Sequence, residues 1–495
     1  MSMNLSNILK NSKVLEVCGD KSTEITGICY DSRKVGKNCL FVCLKGVNFD
    51  GHDFIEDAIK NGAVAIASEK KVDIGKELSQ KVSFIYVEDT RRFLAEASVN
   101  FFGRPAEKLT TIAITGTKGK TTTSIMIKSI LEQAGHKVGL IGTLGIIIGE
   151  NKIISNNTTP ESYEIQKSFS DMVAAGCDYA VFEASSIGLK NHRLDGIVFD
   201  YGVFTNLSSD HIGAYEHKNI DEYIMCKSML FKKCKMGLVN MDDIHCDEIL
   251  KDHTCKVKTF GFNDKADYKA SGLNLVNESG KVGVGFNTSG FLNAKDFFVS
   301  IPGKFNVYNA IAAIAVCHSI DVSEESMKKG IAETKVRGRV EPVNISSDFS
   351  LFIDYAHNAV SMENVLLTLK EYKPKRLVAV FGAGGDRPKV RRYEMGEVSG
   401  KISDLTVITS DNPRTEEPLK IIEDIKTGID KTDGKYIVIP DRKEAIKYCI
   451  QNAQKGDIIV LAGKGHEDYQ EINHVKYPFD ERKVIADILS CEIKK

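Results

Sequence analysis

The segment 111–123, TIAITGTKGKTTT, constrains this chain more than any other. Residues 111–115 form a short apolar, β-branched run, which reads as a buried strand. Gly116-Thr117-Lys118-Gly119-Lys120-Thr121-Thr122 follows at once. Ile127, Ile130, Leu131 and Ala134 then recur at helical spacing, and Gly135 supplies a stop. Strand, glycine loop and helix is the context that a phosphate-binding loop requires. The glycines let backbone N–H groups close round phosphate oxygens, and the helix N-terminus adds a favourable dipole. Lys120 would reach the β- and γ-phosphates, and Thr121 would offer its hydroxyl to Mg²⁺, so ATP or GTP is the expected ligand. The strict pattern has glycine five residues before Gly119, and Ile114 stands there instead. A glycine-rich turn with an incidental lysine is the bland alternative. Gly-Lys-Thr-Thr directly after a clean strand argues against it.

The chain has 495 residues, enough for two to four domains. Its 66 basic and 67 acidic residues leave a net charge of −1, so nothing global points to nucleic acid or an anionic membrane. The start MSMNLSNILKNSK lacks the apolar core of a signal peptide, and no apolar run is long enough to span a bilayer. The 12 cysteines are scattered without a Cys-x-x-Cys pair. They read as reduced thiols of a cytoplasmic protein, with neither zinc nor a redox dithiol suggested.

Residues 1–107 precede the loop. Strands are expected at 25–30, 39–44 and 63–68, a helix at 54–61, and a linker at Arg104-Pro105. Asp31-Ser32-Arg33 and the turn with Val47, Asn48 and Phe49 read by themselves as polar surface turns. Residues 108–336 hold the loop. A strand at 179–182 ends in Glu183, where a second Mg²⁺ ligand belongs in such a sheet. A strand at 201–205 runs into Asn206-Leu207-Ser208-Ser209-Asp210-His211, making His211 a candidate. Tyr223 and Lys227 lie one turn apart on a helix over 220–231. Asn306 and Asn309 open a very apolar helix, where they could bond a base or serve as a cap.

Residues 337–495 alternate again, with strands at 351–354, 377–381, 405–409, 436–439 and 458–461. This rhythm predicts a doubly wound, mostly parallel α/β sheet, with ligands outside its C-terminal strand ends. The turns there are charged: Asp354-Tyr355-Ala356-His357, Gly384-Gly385-Asp386-Arg387, Ser410-Asp411-Asn412-Pro413-Arg414 and Gly463-Lys464-Gly465-His466-Glu467. Four such turns on one rim argue for a polar substrate pocket.

Taken together these motifs, with Asn157-Thr158-Thr159 and the segment 336–341, resemble the Mur ligases of peptidoglycan synthesis, in the members that add meso-2,6-diaminopimelate. The resemblance runs the whole length and implies three domains. They are a UDP-binding domain (1–107), a central P-loop ATPase (108–336) and a C-terminal Rossmann-like domain for the incoming amino acid (337–495). It implies that Ser32, Val47, Asn48 and Phe49 contact uridine nucleotide, and that Asn157, Thr158, Thr159, Ser185, Asn191 and Arg193 contact the muramoyl dipeptide. Asn306, Asn309, Arg339 and Asp354 fall on nucleotide contacts. Arg387, Asp411, Asn412, Arg414, Gly463 and Glu467 fall on diaminopimelate contacts. Lys227 matches a lysine that is carbamylated in the family. Thr121, Glu183, His211 and carbamylated Lys227 would then form the metal shell, with Lys120, Lys227, His211 and Glu183 catalytic. Ile187, Asn191, Pro388 and Ala359 depart from the family's pattern.

The expected activity is an ATP-dependent amide ligation in a cytoplasmic monomer. ATP phosphorylates the carboxylate of UDP-N-acetylmuramoyl-L-alanyl-D-glutamate, and the amine of meso-2,6-diaminopimelate attacks the acyl phosphate. Holding three ligands in line is most of the work, so domain closure is expected. Arg414 is expected to read the distal carboxylate, and to be left unpaired with L-lysine. The alternatives are ligation of L-lysine or another amino acid, a folylpolyglutamate- or cyanophycin-type ligase, and a regulatory or transport-coupled ATPase that makes no amide.

Overall fold

A computed structural model describes residues 2–46, 49–72, 81–155, 157–208, 212–213, 216–278 and 281–492. It divides into two compact units. The first comprises Met1–Asp267 with Ala312–Val322, and the second Tyr268–Ile311 with Ser323–Lys495.

The first unit opens with a five-stranded sheet in the order Val14–Cys18, Ser83–Val87, Ala63–Ser68, Cys39–Val42, Gly27–Cys29. All its pairings are parallel except that of Val14–Cys18 with Ser83–Val87. Successive residues of Cys39–Val42 feed opposite cores, Leu40 and Val42 on one face and Phe41 on the other. A strand apolar on both faces belongs inside a covered sheet. The expected helix at 54–61 is a 3₁₀ turn, Gly51–Phe54, followed by Ile55–Lys60.

The loop strand, Thr110–Thr115, lies inside the second sheet of this unit. Within it the strands run Asn151–Ile153, Gly145–Ile148, Val138–Gly142, Tyr179–Glu183, Thr110–Thr115, Phe199–Phe204, Cys234–Asn240, Lys256–Gly261. The first three form an antiparallel meander at the edge, and the other pairings are parallel. The chain therefore leaves Thr115, Glu183 and Phe204 side by side, on one rim. The helix expected to reach 231 is α-helical only over Ile220–Ser228 and tightens to a 3₁₀ turn over Met229–Lys232.

The second unit contains an antiparallel meander, Tyr268–Glu278, Lys281–Gly290 and Ala294–Val299. Its other sheet has the order Glu341–Val343, Ser350–Asp354, Asp457–Ala462, Arg376–Phe381, Leu405–Ile408, Tyr436–Val438. Only the edge strand Glu341–Val343 is antiparallel. The doubly wound expectation holds, with Asp441 capping Arg442–Gln451 through the Glu444 N–H. No helix of the described residues is long and apolar enough to cross a membrane.

Arg442 and Glu481 form an ion pair at 2.9 Å with both side chains 1% exposed. Arg442 also donates to the Ala462 carbonyl, whereas Glu481 Oε2 has no protein partner. Burial pushes the Glu481 carboxyl up, and Arg442 holds it back. Arg442→Met should therefore destabilise the second unit by about 3–5 kcal/mol, since it strands a buried carboxylate. Arg442→Met with Glu481→Leu should recover most of that loss. Urea unfolding of the two variants measures both.

Candidate functional site

The phosphate loop is assembled as its glycines require. Gly116 has φ +152° and Gly119 φ +87°. A Cβ on Gly116 would stand 1.9 Å from Thr205 Oγ1, so the neighbouring strand end excludes any side chain there. Thr205 Oγ1 donates to the Lys118 carbonyl at 2.7 Å, and Asn206 Oδ1 accepts the Lys118 N–H at 2.9 Å. Thr117 Oγ1 meets Tyr223 Oη at 3.1 Å. Helix Lys120–Gln133 starts directly from Gly119, and Thr122 lies half-buried in its first turn. Lys120 Nζ curls back to the Gly116 and Thr117 carbonyls at 2.7 and 3.1 Å.

Beside the loop, Glu183 is fully buried and takes three hydrogen bonds. Thr121 Oγ1 donates at 3.0 Å, and Thr143 donates through N at 3.1 Å and Oγ1 at 3.0 Å. Burial pushes its carboxyl above the ordinary range, and Lys120 opposes this. Lys227, expected by default on a surface, is 1% exposed. Its Nζ donates to the Gly116 carbonyl at 2.8 Å and sits 4.4 Å from the Tyr223 ring centroid. Two lysines, Lys120 and Lys227, thus share one carbonyl oxygen. A hydroxyl and a carboxylate that meet at 3.0 Å are hard oxygen donors of the kind Mg²⁺ takes. Among the described residues, no three His, Cys, Asp or Glu side chains gather round one point. His211 lies outside the described residues, as do Val47 and Asn48.

The residues expected at the muramoyl dipeptide cluster on the same rim. Thr158 Oγ1 meets Thr143 Oγ1 at 3.0 Å, and Thr159 Oγ1 donates to the Glu183 carbonyl at 2.8 Å. Arg193 donates to the Thr159 carbonyl at 2.9 Å and to Glu161 at 2.5 Å. Ser185 caps Ser186–Lys190, and Asn191 ends that helix. Asn157 is exposed nearby in sequence. Ser32 stands in a 3₁₀ turn whose Asp31 carboxylate accepts the Arg33 N–H, and Phe49 is 73% exposed. His217 is fully buried, bonded to Ser186 Oγ at 2.8 Å, with Nδ1 unsatisfied. Nothing in its sequence surroundings marked it.

In the second unit, the strands ending at Asp354, Ala462, Phe381 and Ile408 are consecutive neighbours. Their four charged turns enclose a cavity of about 300 Å³. It is lined by Tyr355, His357, Arg387, Pro388, Arg391, Asp411, Asn412, Arg414, Gly463 and Glu467 among others. Asn412 Nδ2 donates to Glu467 at 2.9 Å. Arg414 is not left alone: Nε pairs with Glu471 at 3.2 Å, and Nη1 donates to the Gly385 carbonyl at 2.6 Å. That corrects the expectation of an unpaired guanidinium, because Glu471 comes from a later strand the motif does not include. Lys464, from the last of the charged turns, is fully buried against Asp411 at 3.1 Å. Against the cost of burial, Lys464 and Arg442 hold the Asp411 carboxyl below its ordinary value.

The expected nucleotide contacts of this unit are occupied internally or exposed. Asn306 Nδ2 donates to the Pro302 carbonyl at 2.8 Å, and Asn309 Nδ2 to Asn306 Oδ1 at 2.9 Å. Asp354 accepts the Val340 and Ala356 N–H groups at 2.7 and 2.8 Å. Arg339 is exposed.

Three family models match the chain. The Mur ligase family catalytic domain covers residues 24–102, the Mur ligase middle domain 114–317, and the Mur ligase glutamate ligase domain 338–465. The UDP-N-acetylmuramoyl-L-alanyl-D-glutamate–2,6-diaminopimelate ligase of Caldanaerobacter subterraneus subsp. tengcongensis is 44% identical over 489 residues, covering 99% of each chain. A ligase of the same name from Clostridium acetobutylicum is 44% identical over 490 residues, covering 98% of this chain and 99% of its own. Among solved structures, another ligase of that name superposes with a TM-score of 0.76 at 30% identity, covering 99% of both chains. A folylpolyglutamate synthase from Thermotoga maritima shares the fold at a TM-score of 0.58 and 18% identity, over 75% of this chain.

Proposed function

The chain belongs to the Mur ligase family, and we propose that it joins meso-2,6-diaminopimelate to UDP-N-acetylmuramoyl-L-alanyl-D-glutamate at the expense of ATP. The observation that carries the amino-acid assignment is the cavity at four strand ends, which offers arginines and a glutamate on one rim. Full-length likeness to ligases of that name supports it. The folylpolyglutamate alternative leaves a quarter of the chain without a counterpart.

A carboxylate resists attack because it is charged and oxide cannot leave. Transfer of the γ-phosphoryl group from ATP makes an acyl phosphate and ADP, and the amine then displaces inorganic phosphate. In our reading the loop from Gly116 to Thr122 cradles the nucleotide, and Lys120 follows the migrating charge. Mg²⁺ would be held by Thr121 and Glu183, with His211 and carbamylated Lys227, and would offset phosphate charge. Carbamylation of Lys227 would remove the repulsion between two ammonium groups that share the Gly116 carbonyl. Thr158, Thr159, Ser185, Asn191 and Arg193 would seat the dipeptide, with Asn157, and Ser32 with the 47–49 turn would seat the uridine. The nucleotide roles of Asn306, Asn309, Arg339 and Asp354 rest on resemblance, as do the domain limits 1–107, 108–336 and 337–495. The product is a peptidoglycan precursor made in the cytoplasm.

Arg387, Arg414 and Glu467, with Asp411, Asn412 and Gly463, would read the amino acid. meso-Diaminopimelate has a distal carboxylate that L-lysine lacks. Arg414 keeps outer donors for it, and with L-lysine it retains Glu471 and the Gly385 carbonyl. The loss of one charge-assisted bond, not a stranded charge, costs about 2 kcal/mol, roughly 30-fold in kcat/KM. Wild type should prefer meso-diaminopimelate by that factor, and Arg414→Ala should erase most of the preference. The test is kcat/KM for both amino acids on both proteins. Equal use of L-lysine by the wild type would refute the substrate assignment.

A further inference from the structure

Cys29 and Cys39 are ten residues apart in sequence, yet their sulfurs are 3.7 Å apart. Strand Gly27–Cys29 is the three-residue edge of its sheet, parallel to Cys39–Val42 with Gly27 opposite Cys39. Gly27 has no side chain, and the Cys39 sulfur leans into that space, 3.4 Å from where a Cβ would be. Both sulfurs then lie on one face. The Lys34 carbonyl, 3.4 Å from Cys29 Sγ, is an alternative acceptor for the single Cys29 proton, so the thiol stands under the turn Ser32–Lys34. Cys29 is half-buried and Cys39 is 6% exposed, so a small peroxide reaches the pair from the Cys29 side.

We propose that Cys29 and Cys39 are an oxidation site, at which a hydroperoxide forms a disulfide whose closure displaces the turn Ser32–Lys34. The Cys39 thiolate attacks the peroxide, giving a sulfenic acid and one molecule of water or alcohol. The Cys29 thiol then displaces hydroxide from that sulfur as water. Two thiols lose two electrons, and one O–O bond is reduced. The Cys29 thiol donating to Cys39, with the Gly36 N–H, holds the Cys39 thiol below its ordinary value, which favours the thiolate. The sulfurs stand 3.7 Å apart, and a disulfide bond holds them at about 2 Å. Closure therefore draws the edge strand inward, breaks the contact to Lys34 and moves Ser32. The consequence for uridine nucleotide rests on the role of Ser32 proposed above.

The whole protein is exposed to hydrogen peroxide and digested without reduction. A cross-link between tryptic peptides 22–33 and 38–45 is expected, absent in Cys29→Ser and Cys39→Ser but kept in Cys43→Ser. Amide exchange at residues 32–36 should rise with it in the wild type, not in Cys29→Ser, and fall back with dithiothreitol. KM for the uridine substrate should rise by about tenfold on oxidation, with kcat little changed. Oxidation at exposed Cys18 without the cross-link would overturn the site, and a cross-link without faster exchange would overturn the displacement. The cross-link and the exchange need no ligase activity, so a chain that fails to ligate would count against the proposed function alone.

Discussion

Ligation by Lys120→Ala should fall by about 10³-fold or more in a protein that melts like the wild type. The side chain is half-buried rather than part of the core. Its ammonium returns to the Gly116 and Thr117 carbonyls, and the Gly116 carbonyl keeps Lys227 as a donor once it is gone. What the variant loses is a cation placed at the mouth of a helix, where transferred charge develops. Lys120 would act on the migrating phosphoryl group more than on the bound nucleotide, so kcat should drop further than KM rises. Steady-state ligation with ATP titrated, beside thermal melts of both proteins, measures this. Near-normal turnover in a folded variant would remove the loop from the mechanism.

Lys227→Ala should lose about 10²–10³-fold, and small carboxylates should return part of it. A lysine amine 1% exposed and held over an aromatic ring is an expensive way to fill space. As a carbamate it would instead place an anion beside the Gly116 carbonyl. Acetate or formate can enter the space left by the truncated side chain and supply that charge. About tenfold recovery is expected, with chloride at equal ionic strength as the control. Truncation of a buried chain also costs stability, about 2–4 kcal/mol, so melting is followed in the same samples. Full activity without carboxylate would make Lys227 a packing residue.

The parts of the site written in contiguous residues were legible before any coordinates. The loop, Glu183 at a strand end and the four turns of the last sheet each follow from a run of apolar residues stopped by polar ones. Partners joined across the sheet were not legible. Thr143 grips Glu183 from a neighbouring strand end, Glu471 meets Arg414 from a hairpin, and Lys464 is drawn inward to Asp411. Thr143 and Lys464 are polar residues in loops and Glu471 lies on a short hairpin strand, places where a local pattern predicts exposure. The thiol pair escaped for the same reason, because strand pairing rather than cysteine spacing brings Cys29 to Cys39. Boundaries slipped where a helix tightens into a 3₁₀ turn, at Met229–Lys232, since apolar spacing does not distinguish the two over four residues.

The order of strands in the last sheet sets a schedule for synthesis. Asp457–Ala462, near the C-terminus, inserts between Ser350–Asp354 and Arg376–Phe381, which leave the ribosome about a hundred residues earlier. Until it arrives, those two strands have no shared neighbour, and the nascent chain holds apolar edges open. Parallel pairing at such separation is slow to close. The turn after that strand carries Gly463 and Glu467, so the cavity at the strand ends is closed only once residue 467 has been made. A chain released early, by a nonsense codon or a nick before residue 457, would keep the phosphate loop yet lack the middle of its last sheet, and would present itself to proteases as an open half.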